Sequence, residues 1–276
     1  MPSRPSLAQA GEPPRRDPEI AAFLEGIYAT CNVLPRLNRD PLALVRPFAE
    51  PADREVAGLV ASVLAFGGVD LIIRATKLAL EPLGAHPATA LAALGDDEIR
   101  RLWAGFQYRF CFSKDLTGLL IAIRRARAEA GSLERFFMDG DPGGEDLVGA
   151  TAAFSKRLRA FAPDLREGLL PNPDRGSACK RLFLYLRWMV REDAVDPGGW
   201  NHIERSRLLV PIDTHMARVC AERLRFLPKP AADLRASRRV TAAFRLYAPE
   251  DPVKYDFALT RPGIDPEPGD ERFLCS

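Results

Sequence analysis

The stretch Ala178-Cys179-Lys180-Arg181-Leu182-Phe183-Leu184-Tyr185-Leu186-Arg187-Trp188-Met189-Val190-Arg191 decides the fold. Apolar residues cover most of the circumference of a helix drawn through it, which predicts a helix buried at the centre of an α domain. Lys180, Arg187 and Arg191 fall at i, i+7 and i+11 and form one stripe, which predicts a polar face turned toward a cleft. An ammonium at a helix N-terminus opposes the helix dipole, and a field of that sign favours the neutral, nucleophilic amine. Lys180 is therefore a candidate nucleophile.

Outward from this helix the chain reads as further helices separated by Pro, Gly and Asp, with no internal repeat, no heptads and no long strand-like alternation. Helices are expected at about 17–31, from 51 to a stop at Phe66-Gly67-Gly68, and at 70–83, 97–108, 114–130, 132–138 and 145–161. The turn Pro171-Asn172-Pro173-Asp174-Arg175-Gly176 feeds the Lys180 helix. Helices at 213–226, 231–247 and 251–259 complete the set. The fold class is all-α. Residues 1–16 read as a disordered leader, 17–260 as the helical domain and 261–276 as a loose tail.

With 276 residues, 47% hydrophobic and 28% charged, the chain can bury a core without staples. No apolar run approaches the roughly 20 residues of a membrane span, and the N-terminus lacks a signal-type apolar core. The five cysteines, odd in number and scattered, point to reduced thiols in the cytoplasm, with no zinc site and no cluster. No cofactor is implied. The net charge is +2, but Arg175 to Tyr247 holds 15 Lys+Arg against 7 Asp+Glu, or +8, leaving −6 elsewhere. Such a concentration of positive charge suits a polyanion, and it also suits helices that are merely solvated.

Asp213 lies 33 residues after Lys180, in Val210-Pro211-Ile212-Asp213-Thr214-His215. Directly before an amphipathic helix it reads as an N-cap, a role that also fixes a carboxylate at the helix mouth. The apolar approach Leu208-Leu209-Val210-Pro211-Ile212 embeds it in a protected pocket. Asp213 and His215 match the spacing of a metal pair, but the other histidines, His86 and His202, are distant, and no metal is expected. A Ser/His/Asp hydrolase finds neither a G-x-S-x-G nor a strand to carry it.

A helix-opening lysine followed by V-P-I-D-T-H-x-x-R-V resembles the helix-hairpin-helix DNA glycosylases, the superfamily of endonuclease III and the 8-oxoguanine glycosylases. The segments ACKRLFLYLRWMVRED, VPIDTHMARV and DPVKYDFAL resemble more closely a bacterial family labelled only as a domain of unknown function, over most of the chain after its leader. The superfamily resemblance is strongest from Arg175 to Phe226. It implies two interleaved helical lobes, the second centred on about 171–247, with an active-site cleft between them. It implies Lys180 and Asp213 as the catalytic pair. The partner would be double-stranded DNA with a damaged base, met by a monomer in the bacterial cytoplasm, at the nucleoid.

The hairpin of the superfamily carries G-x-G before the lysine. Here only Gly176 precedes Ser177-Ala178-Cys179, so Arg175, Gly176 and Ser177 are the candidate phosphate contacts, joined by Arg187 and Arg191. Phe66, Gly67 and Gly68 occupy the place of the loop that wedges into the duplex, although an aromatic at a helix end is also a core residue. The longer Lys180–Asp213 connection is similar to that of archaeal 8-oxoguanine glycosylases and points to oxidised purines. Trp188, His215, Tyr255, Asp256 and Phe257 are base-pocket candidates that double as packing for the last helices. The expected activity is a bifunctional DNA glycosylase/AP lyase. The rivals are a non-catalytic DNA-binding protein on the same fold and a regulatory or partner-binding α domain.

Overall fold

The computed structural model describes residues 16–273. Nearly all of the leader, and Cys275, lie outside the described residues. The described chain is mostly α-helical. Helices α1 (Pro18–Cys31), α2 (Pro51–Val63), α3 (Val69–Leu80), α4 (Pro87–Ala93) and α5 (Asp96–Leu102) lead to a two-stranded hairpin, β1 (Gln107–Tyr108) and β2 (Cys111–Phe112). Then follow α6 (Ser113–Ala130), α7 (Leu133–Met138), α8 (Val148–Phe161), α9 (Lys180–Val190), α10 (Thr214–Arg218), α11 (Leu234–Arg245) and α12 (Asp256–Ile264).

Local chemistry sets the helix starts. Proline opens α1, α2 and α4, where its missing N–H costs no hydrogen bond. Asp17, Ser132, Asp213 and Asp233 cap α1, α7, α10 and α11 by accepting from backbone amides at 2.8–3.0 Å.

The core forms because α9 is apolar nearly all round, as its sequence predicts: Leu182, Phe183, Tyr185, Leu186, Trp188 and Met189 are all buried. Its partner is α2, whose Gly58 lets the helices close up. A Cβ there would sit 3.2 Å from Tyr185 Cε2 and 3.3 Å from Met189 Cε. Helix α6 gathers α5, α7 and α8, while α12 packs on α1 and α10. Tyr185 donates its O–H to the Glu55 carbonyl of α2 at 3.2 Å, tying the central pair together.

Several expectations are corrected. The helix expected at 97–108 stops at Leu102, and the chain turns through the β1–β2 hairpin, paired Gln107 with Phe112 and Tyr108 with Cys111. Helix α4, opened by Pro87, lies in a stretch where no helix is expected from the sequence. The helix expected at 213–226 is α-helical only to Arg218 and widens into a π-turn, Val219–Arg223.

The last helix begins at Asp256 rather than at 251 and runs to Ile264 with Pro262 inside it, so residues 261–273 are no loose tail. Asp270 is buried and pairs bidentately with buried Arg36, at 2.5 and 2.6 Å, and Phe273 packs edge-on to Phe23 at 6.0 Å. The tail read as loose because Asp, Glu, Pro and Arg dominate it, and it is held by charge pairing that no apolar periodicity announces.

Candidate active site

Lys180 is the first residue of α9, entered through Cys179 in the left-handed conformation at φ 43°. That turn aims the lysine away from the buried body of the helix. Asp213 caps α10, with Oδ1 accepting from the Met216 amide at 2.8 Å. Its other oxygen, Oδ2, lies 2.7 Å from Lys180 Nζ. The two side chains, 37% and 19% exposed, share one open cleft of about 530 Å³. Burial pushes the Asp213 carboxyl up, but the Lys180 charge and hydrogen bond, with the Met216 amide, outweigh it and hold the carboxyl below its ordinary value. The carboxylate is therefore charged at neutral pH and fixed at two points, by a helix mouth and by an amine.

The surrounding wall comes from five parts of the chain. Phe66 and Gly67 line one side, and His215, Asp256 and Phe257 the other, beside Thr260 and Arg261. Arg261 Nη2 lies 3.2 Å from Asp40 Oδ2, and its guanidinium lies 4.5 Å from the Phe257 ring centroid. Asp40 caps its own short turn by accepting from the Leu42 amide at 2.9 Å. The sequence reading missed Asp40, Thr260 and Arg261. Thr260 stands one helical turn after Asp256, and Asp40 precedes Pro41 as a cap does, so local signals existed for both. Arg261 had none, because it was placed in the tail.

Two arginines of the expected stripe do not reach solvent. Arg187 and Arg191 are 3% and 2% exposed. Arg187 binds Asp196 at 3.1 Å and Asp256 at 2.5 Å. Arg191 binds Asp193 and Asp251, each at 2.9 Å, and also Asp196. Burial holds the Asp196 and Asp256 carboxyls above their ordinary value even with the guanidiniums pulling them down, and burial would lower both arginines but the carboxylates outweigh it and raise them above theirs. The segment 193–196 exists in this form because it carries the counter-charges for α9. Arg187 reaches the inner wall of the cleft, but neither arginine is available to a phosphate.

The aromatic candidates divide. Trp188 is fully buried and off the cleft, as is Tyr255, whose O–H is given to Glu25 Oε1 at 2.5 Å. Both belong to the core and not to a base pocket. Phe66 lines the cleft but is covered, stacked on Phe110 at 4.5 Å with Arg181 over it at 5.3 Å. The turn before α9 stays open: Arg175, Gly176 and Ser177 are exposed, with Gly176 left-handed at φ 79° and Arg175 paired to Glu167 at 2.7 Å.

The basic excess of the second half is also answered from the first. Arg175, Arg207, Arg238 and Arg245 pair with Glu167, Asp141, Asp146 and Glu145. Arg207, Arg238 and Arg245 are thereby partly neutralised within the molecule, while Arg175 stays exposed at the turn before α9.

The family model described as Protein of unknown function (DUF2400) matches residues 40–265. The chain belongs to that family. No curated protein and no solved structure matches it. The DUF2400 match begins at the cap Asp40 and ends one residue after α12, so it takes in all of the cleft lining except Arg39. Among the described residues of this DUF2400 protein, no helix is long and apolar enough to cross a membrane.

Proposed function

We propose that the protein is a bifunctional DNA glycosylase/AP lyase that excises a damaged base, an oxidised purine such as 8-oxoguanine, through a Schiff base on Lys180. The observation that carries this reading is the 2.7 Å approach of Lys180 Nζ to Asp213 Oδ2 inside one open cleft. A helix-opening amine and a helix-capping carboxylate, brought together from positions 33 residues apart, form a nucleophile beside a fixed negative charge. The cleft's volume of about 530 Å³ is in the range that takes a small ligand, and a nucleoside turned out of a duplex is one.

In this reading α8 and α9, with the turn at 173–176 between them, correspond to the hairpin lobe of a two-lobed helix-hairpin-helix fold. Exposed Arg175, Gly176 and Ser177 meet the phosphates. Extruding a nucleotide costs a few kcal/mol, less where the base pair is damaged. As the bond from C1′ to the base breaks, its electron pair leaves with the base, and Asp213 stabilises the positive charge growing on the sugar. The amine of Lys180, having passed a proton to the departing base, forms a bond from Nζ to C1′. Ring opening gives the imine, and loss of a C2′ proton then expels the 3′ phosphate.

The second reading is a DNA-binding protein without chemistry. One contact favours it: Asp213 already serves as a cap, so its pair with Lys180 also suffices as a structural tie. Borohydride separates the two. With lesion-bearing duplex it should trap a covalent protein–DNA adduct for the wild type and none for Lys180→Gln. Equal trapping by the variant removes Lys180 as the nucleophile, and no adduct with any lesion favours the binding protein.

A further inference from the structure

Three carboxylates line the Lys180 cleft: Asp40, Asp213 and Asp256. Two have both oxygens engaged. Asp213 accepts from the Met216 amide through Oδ1 and from Lys180 through Oδ2. Asp40 accepts from the Leu42 amide through Oδ1 and pairs with Arg261 through Oδ2. Asp256 differs. Its Oδ2 takes Arg187 Nη1 at 2.5 Å, while its Oδ1 accepts from no side chain or amide among the described residues.

The fold brings this carboxylate toward the lysine. Arg187 follows Lys180 by two turns on the same face of α9, roughly 10 Å along the axis. Long side chains on a helix lean toward its N-terminus, so Arg187 draws Asp256, the first residue of α12, that way. Asp196 braces Arg187 from behind at 3.1 Å. The charges of Lys180 and Asp213 both act on Asp256. Burial pushes the Asp213 and Asp256 carboxyls up, yet Lys180 and the Met216 amide bring Asp213 below its ordinary value, whereas Asp256 stays above its own. Where one cleft separates two acids in this way, the lower serves as a fixed charge and the higher as a proton carrier.

Resting on the glycosylase reading above, we propose that Asp256 is the catalytic base of strand cleavage, taking the C2′ proton of the sugar that Lys180 holds as an imine. The imine at C1′ makes the C2′–H bond acidic. Its proton passes to Asp256 Oδ1, and the electron pair left behind forms the double bond between C2′ and C3′. The C3′–O bond breaks, and its pair departs with the 3′ phosphate. Asp256, now neutral, returns the proton to solvent. Arg187 is a positioning residue in this step: it holds Oδ2 so that Oδ1 faces the sugar. The competing base is His215, which also lines the cleft and is exposed.

The test uses the full chain and a duplex with one natural abasic site, which bypasses base excision. Borohydride trapping reads the imine, and strand scission without alkali, under single turnover, reads the elimination. The wild type should trap and cut. Asp256→Asn keeps an oxygen for Arg187. It should cut roughly 10²–10⁴-fold more slowly per trapped imine, the usual contribution of one general base. Scoring scission per imine counts only folded, reacting molecules. Deuterium at C2′ should slow the scission that remains in Asp256→Asn, because proton removal then limits it. Asp256→Glu keeps the charge beside Arg187 and shifts the oxygen by one methylene, so its scission per imine should lie between the two.

If Asp256→Asn and Asp256→Glu both cut at the wild-type rate per imine, the proposal is overturned while Lys180 stays the nucleophile. If His215→Gln, and neither Asp256 variant, loses scission per imine, the histidine is the base and the proposal is overturned again. A wild type that traps but does not cut overturns it too, and leaves the imine chemistry standing. A wild type that neither traps nor cuts takes the glycosylase reading down with it.

Discussion

Asp213 carries two roles that one substitution separates. Asparagine is as good an N-cap as aspartate, so Asp213→Asn should keep α10 and lose well under ~1 kcal/mol of capping stability. It removes the charge opposite Lys180, and one preorganised electrostatic group commonly supplies about 10²–10³-fold in rate. We expect a folded variant with near-normal duplex affinity and base excision reduced by that factor, measured by single-turnover excision beside thermal melting. Excision at the wild-type rate would reduce Asp213 to a cap. Both members of the pair were legible in the sequence because each is announced locally, one by opening an apolar helix and one by preceding another. Their distance was not legible, since nothing local says that two helix mouths 33 residues apart face each other at 2.7 Å.

The elements show where helical periodicity misleads. Lys180, Arg187 and Arg191 do share a face of α9, but from Arg187 onward that face meets Asp193, Asp196, Asp251 and Asp256 instead of solvent. A stripe of arginines reads the same whether water or buried carboxylates await it, because the counter-charges lie in a loop and on another helix. Removing one arginine leaves buried carboxylates uncompensated, which typically costs about 3–5 kcal/mol. Arg191→Met should therefore lower the urea midpoint steeply, and a midpoint unchanged from wild type would contradict the burial described. The α2–α9 contact makes a second expectation. Gly58→Val introduces atoms where a Cβ alone meets Tyr185 at 3.2 Å, and overpacking of this kind costs roughly 1–3 kcal/mol. Chemical denaturation measures it.

For the whole molecule, charge pairing joins what is distant in the chain. Arg36 and Asp270, each 3% exposed at the side chain, fasten the C-terminal turn to the segment after α1. Truncation after Asp265 should destabilise the protein by about 3–5 kcal/mol, because Arg36 loses both of its counter-charges, Asp270 and Glu267. Acid should act through the same class of contact. Burial pushes the Asp193 carboxyl up, but Arg191, the Asp196 and Val195 amides and Asn32 hold it down at about 2, from an ordinary 3.8. The unfolded chain binds that proton more readily than the folded one. Asp193 thus contributes at most about 2 kcal/mol, fully present above about pH 4 and lost as pH falls toward 2. Asp193→Asn should flatten the dependence of the melting temperature on pH in that window. The all-α class followed from periodicity and punctuation, whereas these long-range charge pairs, the hairpin and the final turn depend on partners that no short window contains.

The four cysteines of the described chain, Cys31, Cys111, Cys179 and Cys220, are buried and unbridged. Burial pushes all four thiols up, Cys111 to about 12 and Cys179 to about 11, so little thiolate is present at neutral pH and none is offered to solvent. An alkylating reagent can reach them only when the surrounding structure opens, which turns labelling rate into a clock for local unfolding. The clocks sit at informative places: Cys179 at the entry to the Lys180 helix, Cys111 in the hairpin, Cys220 in the π-turn after Asp213, and Cys31 at the end of α1. If a duplex with an extruded nucleotide seats itself between the hairpin and the Lys180 helix, Cys111 and Cys179 should slow together while Cys31 keeps its pace.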